Sequence, residues 1–189
     1  MRGLVGVLGA VSLAAAFGGG TSASSSSSAF ATVRVCTTSA LRIRMVGSYA
    51  GLGHAGGIIG FTNRSSTTCR LTGWPTLVAL SNTGRTATAL HEAGELQGHL
   101  MPEHPRIPAL PSVILRPGQR ADAVFGGTDN PDLHGTRCRS FIRYLRVTPP
   151  GNAHSVVLSA WIGWLGGYLP ACQRIGVSMV VPRSDLYHG

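Results

Sequence analysis

Residues 61–75 read FTNRSSTTCRLTGWP, and this stretch decides the fold class. It begins in an apolar run, passes through a polar turn that starts at Asn63, and resumes at Cys69 with residues of alternating polarity. Asn and Ser side chains bond to nearby backbone groups, which favours a turn between strands. Gly73 and Pro75 bend the second run at a sheet edge, since proline cannot donate to a β-ladder. The stretch therefore predicts two short strands joined by a turn.

Outward from this stretch, period-two runs recur and no long amphipathic helix is found. Leu41 and Ile43, for example, alternate with Arg42 and Arg44, as a half-buried strand requires. The predicted strands cover residues 41–45, 57–63, 69–71, 76–80, 85–90, 113–115, 121–125, 138–147 (the longest), 155–161 and 176–181. Long loops are predicted at 91–112 and 126–135. Short strands at this spacing predict an all-β fold, an immunoglobulin-like antiparallel β-sandwich, with a barrel as the alternative.

The N-terminus has the layout of a secretory signal peptide. Arg2 precedes an uncharged apolar run at 4–17, and a Gly- and Ser-rich segment leads to the small-x-small sequence Ala29-Phe30-Ala31. We therefore predict a signal peptide and Ser-rich segment at 1–31 and a single domain at 32–189. The apolar run falls short of the ~20 residues that span a bilayer, although an uncleaved anchor is the alternative. The predicted location is secreted or extracytoplasmic, in the cell envelope.

Four cysteines follow the predicted signal peptide: Cys36, Cys69, Cys138 and Cys172. An even number in an exported chain indicates two disulfides, of which three connectivities are possible. We expect Cys36–Cys69 and Cys138–Cys172, because near neighbours along a meander need no long crossing. Zinc is disfavoured because no pair has the close spacing of zinc ligands.

The chain is strongly basic, with sixteen Lys+Arg, all of them arginine, against seven Asp+Glu and a net charge of +9. Arginine stays charged at any accessible pH and binds carboxylate or phosphate through a planar fork. A basic chain favours anionic partners, although the arginines could simply solubilise the outer faces of strands. The candidate partners are an anionic envelope polymer, a lipid surface or another exported protein. The sequence holds no specific nucleic-acid motif.

Catalytic patterns are absent from the sequence. It has neither the G-x-S-x-G nucleophile elbow nor H-E-x-x-H, and the predicted disulfides leave no thiol nucleophile. We therefore predict a binding or structural module without a cofactor, not an enzyme. The alternative is a copper or zinc site formed by His91, His99 and His104 in the predicted 91–112 loop.

Two surfaces are candidates for binding. The first is basic: Arg137, Arg139 and Arg143 share one parity of the predicted 138–147 strand and its approach, with Arg42 and Arg44 as further members. The second is the aromatic segment 161–169, which contains Trp161, Trp164 and Tyr168 around a Gly-Gly turn. Exposed aromatic rings can stack on sugars or enter a membrane surface. The alternative is that this segment is part of the core.

Segment 61–75 also resembles a known family. Together with Asn82-Thr83-Gly84, Leu115-Arg116-Pro117-Gly118 and residues 145–151, it is similar to the actinobacterial family catalogued as domain of unknown function 4232. The resemblance extends from about Cys36 to Pro182. It implies an exported or lipid-anchored immunoglobulin-like sandwich and assigns no catalytic residues. The chain lacks the lipobox cysteine of many members, which leaves the anchoring mode open.

Overall fold

The computed structural model describes residues 32–51, 54–81, 86–91, 112–128, 140–162, 167–171 and 175–183. The predicted signal peptide and Ser-rich segment at 1–31 lie outside these residues. A short 3-10 turn, Thr38–Ala40, precedes the strands. In the part of the chain that is described, no helix is long and apolar enough to cross a membrane.

The strands, in chain order, are β1 (Leu41–Gly51), β2 (His54–Asn63), β3 (Cys69–Thr72), β4 (Thr76–Ser81), β5 (Thr86–Thr88), β6 (Leu90–His91), β7 (Ser112–Leu115), β8 (Arg120–Thr128), β9 (Ser140–Thr148), β10 (Val156–Ser159), β11 (Trp161–Ile162), β12 (Gly167–Ala171), β13 (Ile175–Val177) and β14 (Val181–Pro182). The prediction of an all-β fold is confirmed.

The strands form two large sheets and one small one. The first sheet has the order β1-β2-β8-β13-β6, with β14 also paired to β8. The second has the order β11-β12-β9-β4-β5, with β10 also paired to β9, and the third consists of β3 and β7. Buried side chains from all three sheets belong to one core cluster. The outward sides of the two large sheets therefore face away from each other.

Alternation of polarity places the strands on this core. In β1, Leu41 and Ile43 are buried while Arg42 and Arg44 are exposed, as predicted. In β9, Leu145 and Val147 are fully buried. Burying a Leu, Ile or Val side chain contributes about 1.5–3 kcal/mol, so this alternation fixes which face of each sheet turns inward.

The longest described strand is β1, with 11 residues. Of the run at 138–147, predicted to be the longest strand, the structure describes residues 140–147, which belong to β9. The prediction that β1 ends at residue 45 was wrong, because the glycines that follow residue 45 do not interrupt its pairing. Backbone pairing with β2 continues to Gly51 across a register shift between Met45 and Gly47. Strand β8 likewise continues to Thr128, into the predicted 126–135 loop.

The glycines that lengthen these strands make room for a ring. Gly56 pairs with Tyr49 on one side and with Gly126 on the other. The Tyr49 hydroxyl donates a hydrogen bond to the Phe125 carbonyl at 3.2 Å. A Cβ atom at Gly56 would collide with that hydroxyl and that carbonyl. The tyrosine therefore lies over the two glycines, where a side chain on either would displace it.

A disulfide joins Cys36 to Cys69, as predicted, with their Cα atoms 4.9 Å apart. Backbone hydrogen bonds reinforce it, because the Cys36 N–H donates to the Arg70 carbonyl at 2.9 Å and the Arg70 N–H donates to the Arg34 carbonyl at 2.9 Å. The chain before β1 is thereby fastened to β3. The predicted Cys138–Cys172 bridge lies outside the described residues.

Strands β13 and β14 both pair with β8 and are separated by a bulge that begins at Ser178. The Ser178 N–H donates to the Val124 carbonyl at 2.8 Å, and the Val124 N–H donates to the Ser178 Oγ at 2.8 Å. The same hydroxyl donates to the Met179 carbonyl at 2.9 Å. The hydroxyl thus satisfies a buried backbone donor that the bulge would otherwise leave unpaired.

Candidate functional site

The family-like segment 61–75 builds a structural loop. Asn63 is fully buried, and its Nδ2 donates to the carbonyls of Thr67, at 2.8 Å, and Leu115, at 2.9 Å. Its Oδ1 accepts from the Ser65 N–H at 3.0 Å and from the Ser65 hydroxyl at 2.7 Å. These bonds close the predicted turn and tie it to β7. The motif residues Asn63 and Ser65 therefore hold the fold together.

A second asparagine closes the turn after β9. Asn152 Nδ2 donates to the carbonyls of Cys36, at 2.9 Å, and Pro150, at 3.0 Å. Its Oδ1 accepts from the Thr38 N–H at 2.9 Å and from the Thr38 hydroxyl at 3.2 Å. This side chain is only half-buried. It links the turn to the residues that precede β1, so it too has a structural role.

The outward side of the second sheet carries the residues most suited to binding. Five of them define what we call the aromatic–arginine face: Arg143, Tyr144, Arg146, Trp161 and Tyr168. Trp161 is 50% exposed and Tyr144 is 47% exposed, and both arginines are exposed. Exposed aromatic rings that lie close together form an apolar surface of a kind that binding sites use.

Three of the predicted binding residues meet on this face. Trp161 is the register partner of Tyr168 across β11 and β12, and their ring centroids are 5.1 Å apart with the planes at 80°. The Arg143 guanidinium carbon lies 4.9 Å from the centroid of the Tyr168 ring. A cation over an aromatic face is attracted by the quadrupole of the ring. Tyr168 is thus held between its two neighbours, and the half-exposed Trp161 presents its ring to solvent.

A bulge in β9 brings Arg143 to this face. Leu80 of β4 pairs with Tyr144, but Ser81 pairs with Ile142, so Arg143 is an extra residue in β9. Arg143 has the same parity as the buried Leu145, and in a regular strand it would point into the core. The bulge reverses that direction, so that Arg143 and Tyr144 are both exposed.

Sequence reasoning missed Tyr144 and Arg146. Both could have been predicted to point outward, because they alternate with the buried Leu145 and Val147. Arg146 pairs with Val78 of β4 and Val157 of β10, and Val157 is 57% exposed. Apolar contact area therefore flanks the Arg146 guanidinium on the same face.

The other predicted basic residues are not brought to this face. Arg42 and Arg44 lie on the outward side of the first sheet, so the expectation that they join Arg143 was wrong. The reason is that they alternate with core residues of a different sheet. Arg137, Arg139 and Trp164 lie outside the described residues, and their placement stays a prediction.

Charge on the described surface has one sign. The described residues include ten arginines: Arg34, Arg42, Arg44, Arg64, Arg70, Arg116, Arg120, Arg143, Arg146 and Arg183. Asp122 is the single acidic residue among them, and it is fully buried. Burial raises the pKa of Asp122 above its ordinary value of 3.8, while its hydrogen bond and charge interaction with Arg120 oppose the rise. The exposed ionised side chains of the described strands are therefore all cationic at neutral pH.

The histidines predicted as metal ligands are only partly described. The ring of His91 stacks on Trp74, with centroids 5.4 Å apart and planes at 9°. Trp74 is half-buried, so it is neither a fully buried core residue nor a fully exposed one. His99 and His104 lie outside the described residues. Within the described residues no three metal-binding side chains come together, and the copper or zinc alternative stays a prediction.

Comparison with known proteins gives one match. A family model with the description Domain of unknown function (DUF4232) matches residues 36–180. No curated protein and no solved structure gives a significant match. The matched range begins at the disulfide-bonded Cys36 and includes segment 61–75 and the described residues of the aromatic–arginine face.

Proposed function

This chain belongs to the DUF4232 family, a domain of unknown function, and from that premise we propose that it is a non-catalytic binding module of the cell envelope that holds an acidic polysaccharide on its aromatic–arginine face. The observation that carries the proposal is the half-exposed ring of Trp161 beside the Arg143–Tyr168 pair. In this proposal the two large sheets form an immunoglobulin-like sandwich.

An extracytoplasmic location fits the chemistry of the domain. Disulfides persist in oxidising compartments and are rare in the cytosol, and the Cys36–Cys69 bridge lies in the core. The signal-peptide pattern at 1–31 points the same way. Envelope polymers are the partners that an exported basic domain meets in quantity.

Four residues of the face have roles suited to such a polymer. The C–H side of a sugar ring packs on an aromatic ring, and Trp161 supplies the exposed ring. A guanidinium binds a carboxylate or phosphate group in a fork, which Arg146 can do from an exposed position. Arg143 and Tyr168 hold each other, so they position Trp161 and add positive charge.

Charge and shape favour an acidic polysaccharide over the other candidate partners. The described face carries no carboxylate, so a polyanion meets no repulsion there. The exposed apolar side chains, Trp161 and Val157, are few and lie among polar groups, whereas insertion into a lipid surface needs a continuous apolar area.

Binding to polygalacturonate, compared with neutral dextran, tests the proposal. By titration calorimetry at low salt we expect the purified protein to bind polygalacturonate and not dextran. Trp161→Ala should weaken binding about tenfold, a loss of ~1.4 kcal/mol, because the sugar ring loses the aromatic surface on which it packs. The matched control is Leu90→Ala, which removes a 49% exposed apolar side chain from the first sheet.

The arginines provide the second arm of the test. Arg143→Ala should weaken polygalacturonate binding more than Arg34→Ala, although both remove one exposed positive charge. Equal losses in the two variants, with no loss in Trp161→Ala, would show that binding depends only on net charge and would overturn the proposed site.

A further inference from the structure

A cavity of about 500 Å³ lies where the small sheet meets the first sheet. It is lined by strand β7, by Gly118 and Gln119, and by Arg120, Pro182 and Arg183. Its volume is within the range of pockets that bind small molecules.

Arg120, which lines the cavity, forms an ion pair with the buried Asp122. Arg120 Nη2 donates to Asp122 Oδ2 at 2.9 Å, and Arg120 Nε lies 2.8 Å from Asp122 Oδ1. The Nε–Oδ1 approach has too poor an angle for a hydrogen bond, which leaves both atoms buried without one. Gly60 makes room for the pair, because a Cβ there would lie 3.0 Å from Arg120 Cδ and 3.2 Å from Asp122 Oδ1.

The ion pair leaves the cavity with an excess of positive charge. Asp122 neutralises Arg120, which it contacts directly. Arg183 is exposed, lines the cavity, and is near enough to act electrostatically on Asp122. Two guanidinium groups therefore flank one carboxylate.

The remaining lining consists of a hydrogen-bonding rim and two apolar side chains. Gln119 Oε1 accepts the Arg116 N–H at 2.9 Å, so the amide group of Gln119 is held at the rim. Ile114, which is 46% exposed, and Pro182 supply apolar surface to the lining. Such a lining fits an anionic head group with a small organic body.

We infer that this cavity is a second binding site, which takes a small organic oxyanion, a carboxylate or a phosphate, on the guanidinium of Arg183. Asp122 holds the Arg120 fork, so Arg183 supplies the available one. The apolar side chains contact the body of the ligand. The site shares no residue with the aromatic–arginine face, so either proposal can fail while the other stands.

Calorimetry with glycerol 1-phosphate, lactate and glycerol on the full, oxidised chain tests this site. We expect at least one of the two anions to bind with a dissociation constant of about 1 mM or tighter, and glycerol to give no signal. Comparison of glycerol 1-phosphate with lactate then shows whether the site takes a phosphate or a carboxylate. Arg183→Ala should weaken binding about tenfold, with an unchanged melting temperature, because Arg183 is exposed.

Arg34→Ala is the matched control. Arg34 is exposed, carries the same charge and does not line the cavity, so its loss should change affinity by no more than about twofold. If neither anion binds at low salt, the site does not exist. If Arg34→Ala weakens binding as much as Arg183→Ala, the interaction is general charge attraction and the inference is wrong.

Discussion

Replacing Asn63 with alanine should lower the free energy of unfolding by about 3–5 kcal/mol. The substitution removes four hydrogen bonds: two to the carbonyls of Thr67 and Leu115, and two from Ser65. The Leu115 carbonyl is buried and loses a donor, at a cost of ~1–3 kcal/mol. The other three bonds are partly exposed to water and contribute ~1 kcal/mol each or less.

The Asn152→Ala variant provides a comparison for the loss of unfolding free energy expected of Asn63→Ala. Asn152 also makes four hydrogen bonds of similar length, but its surroundings are partly exposed. Water can replace most of the lost bonds, so we expect a loss of only about 1–2 kcal/mol. The difference between the two variants measures the effect of burial at an equal number of hydrogen bonds.

Urea unfolding followed by circular dichroism, with the disulfide intact, measures both variants. A domain of this size loses roughly 2–4 °C of melting temperature per kcal/mol, so Asn63→Ala should melt about 6–20 °C lower than the unmodified protein. Equal losses for the two asparagines, or a larger loss for Asn152→Ala, would refute the assignment of the family motif to a buried structural loop.

Three further outcomes follow from the fold. Serine at both cysteines of the described disulfide should cost about 3–4 kcal/mol of stability, as closure of a loop with a sequence separation of 33 implies, measured by urea unfolding. Burial raises the pKa of Asp122, so the protonated form of its carboxyl is favoured in the folded protein. The resulting stabilisation is complete below pH 3.8 and is lost as the pH rises through the raised pKa. Melting curves against pH should show that loss in the unmodified protein, and Asp122→Asn should flatten it. Gly56→Ala should destabilise the domain by about 1–3 kcal/mol because both the Phe125 carbonyl and Tyr49 must move, whereas Gly51→Ala, which meets nothing within 4 Å, should be near neutral in the same unfolding assay.

The sequence predicts what local polarity and short-range bonding determine. Alternation around Leu41 and around Leu71 gave two buried faces correctly, and the Cys36–Cys69 bridge followed from the simplest order of strands. The turn at Asn63 was also predictable, because asparagine and serine satisfy backbone groups within a few residues.

What depends on irregular pairing was not predictable. The direction of Arg143 is set by a bulge against β4, which leaves no trace in the parity of β9 itself. The separation of Arg42 and Arg44 from Arg143 depends on which sheet each strand joins, and strand order is not encoded in local periodicity. The buried Asp122 requires the gap left by Gly60 on a neighbouring strand, a pairing that the sequence does not reveal.

The hydroxyl of Ser178 has a mechanical consequence. It bridges the irregularity between β13 and β14, so Val124 of β8 keeps a partner for its N–H and its carbonyl there, while the Val180 N–H donates to the Gly73 carbonyl. A pulling force that detaches β14 from the C-terminal side therefore still has to break the Val180–Gly73 and Ser178–Val124 bonds before it reaches β13.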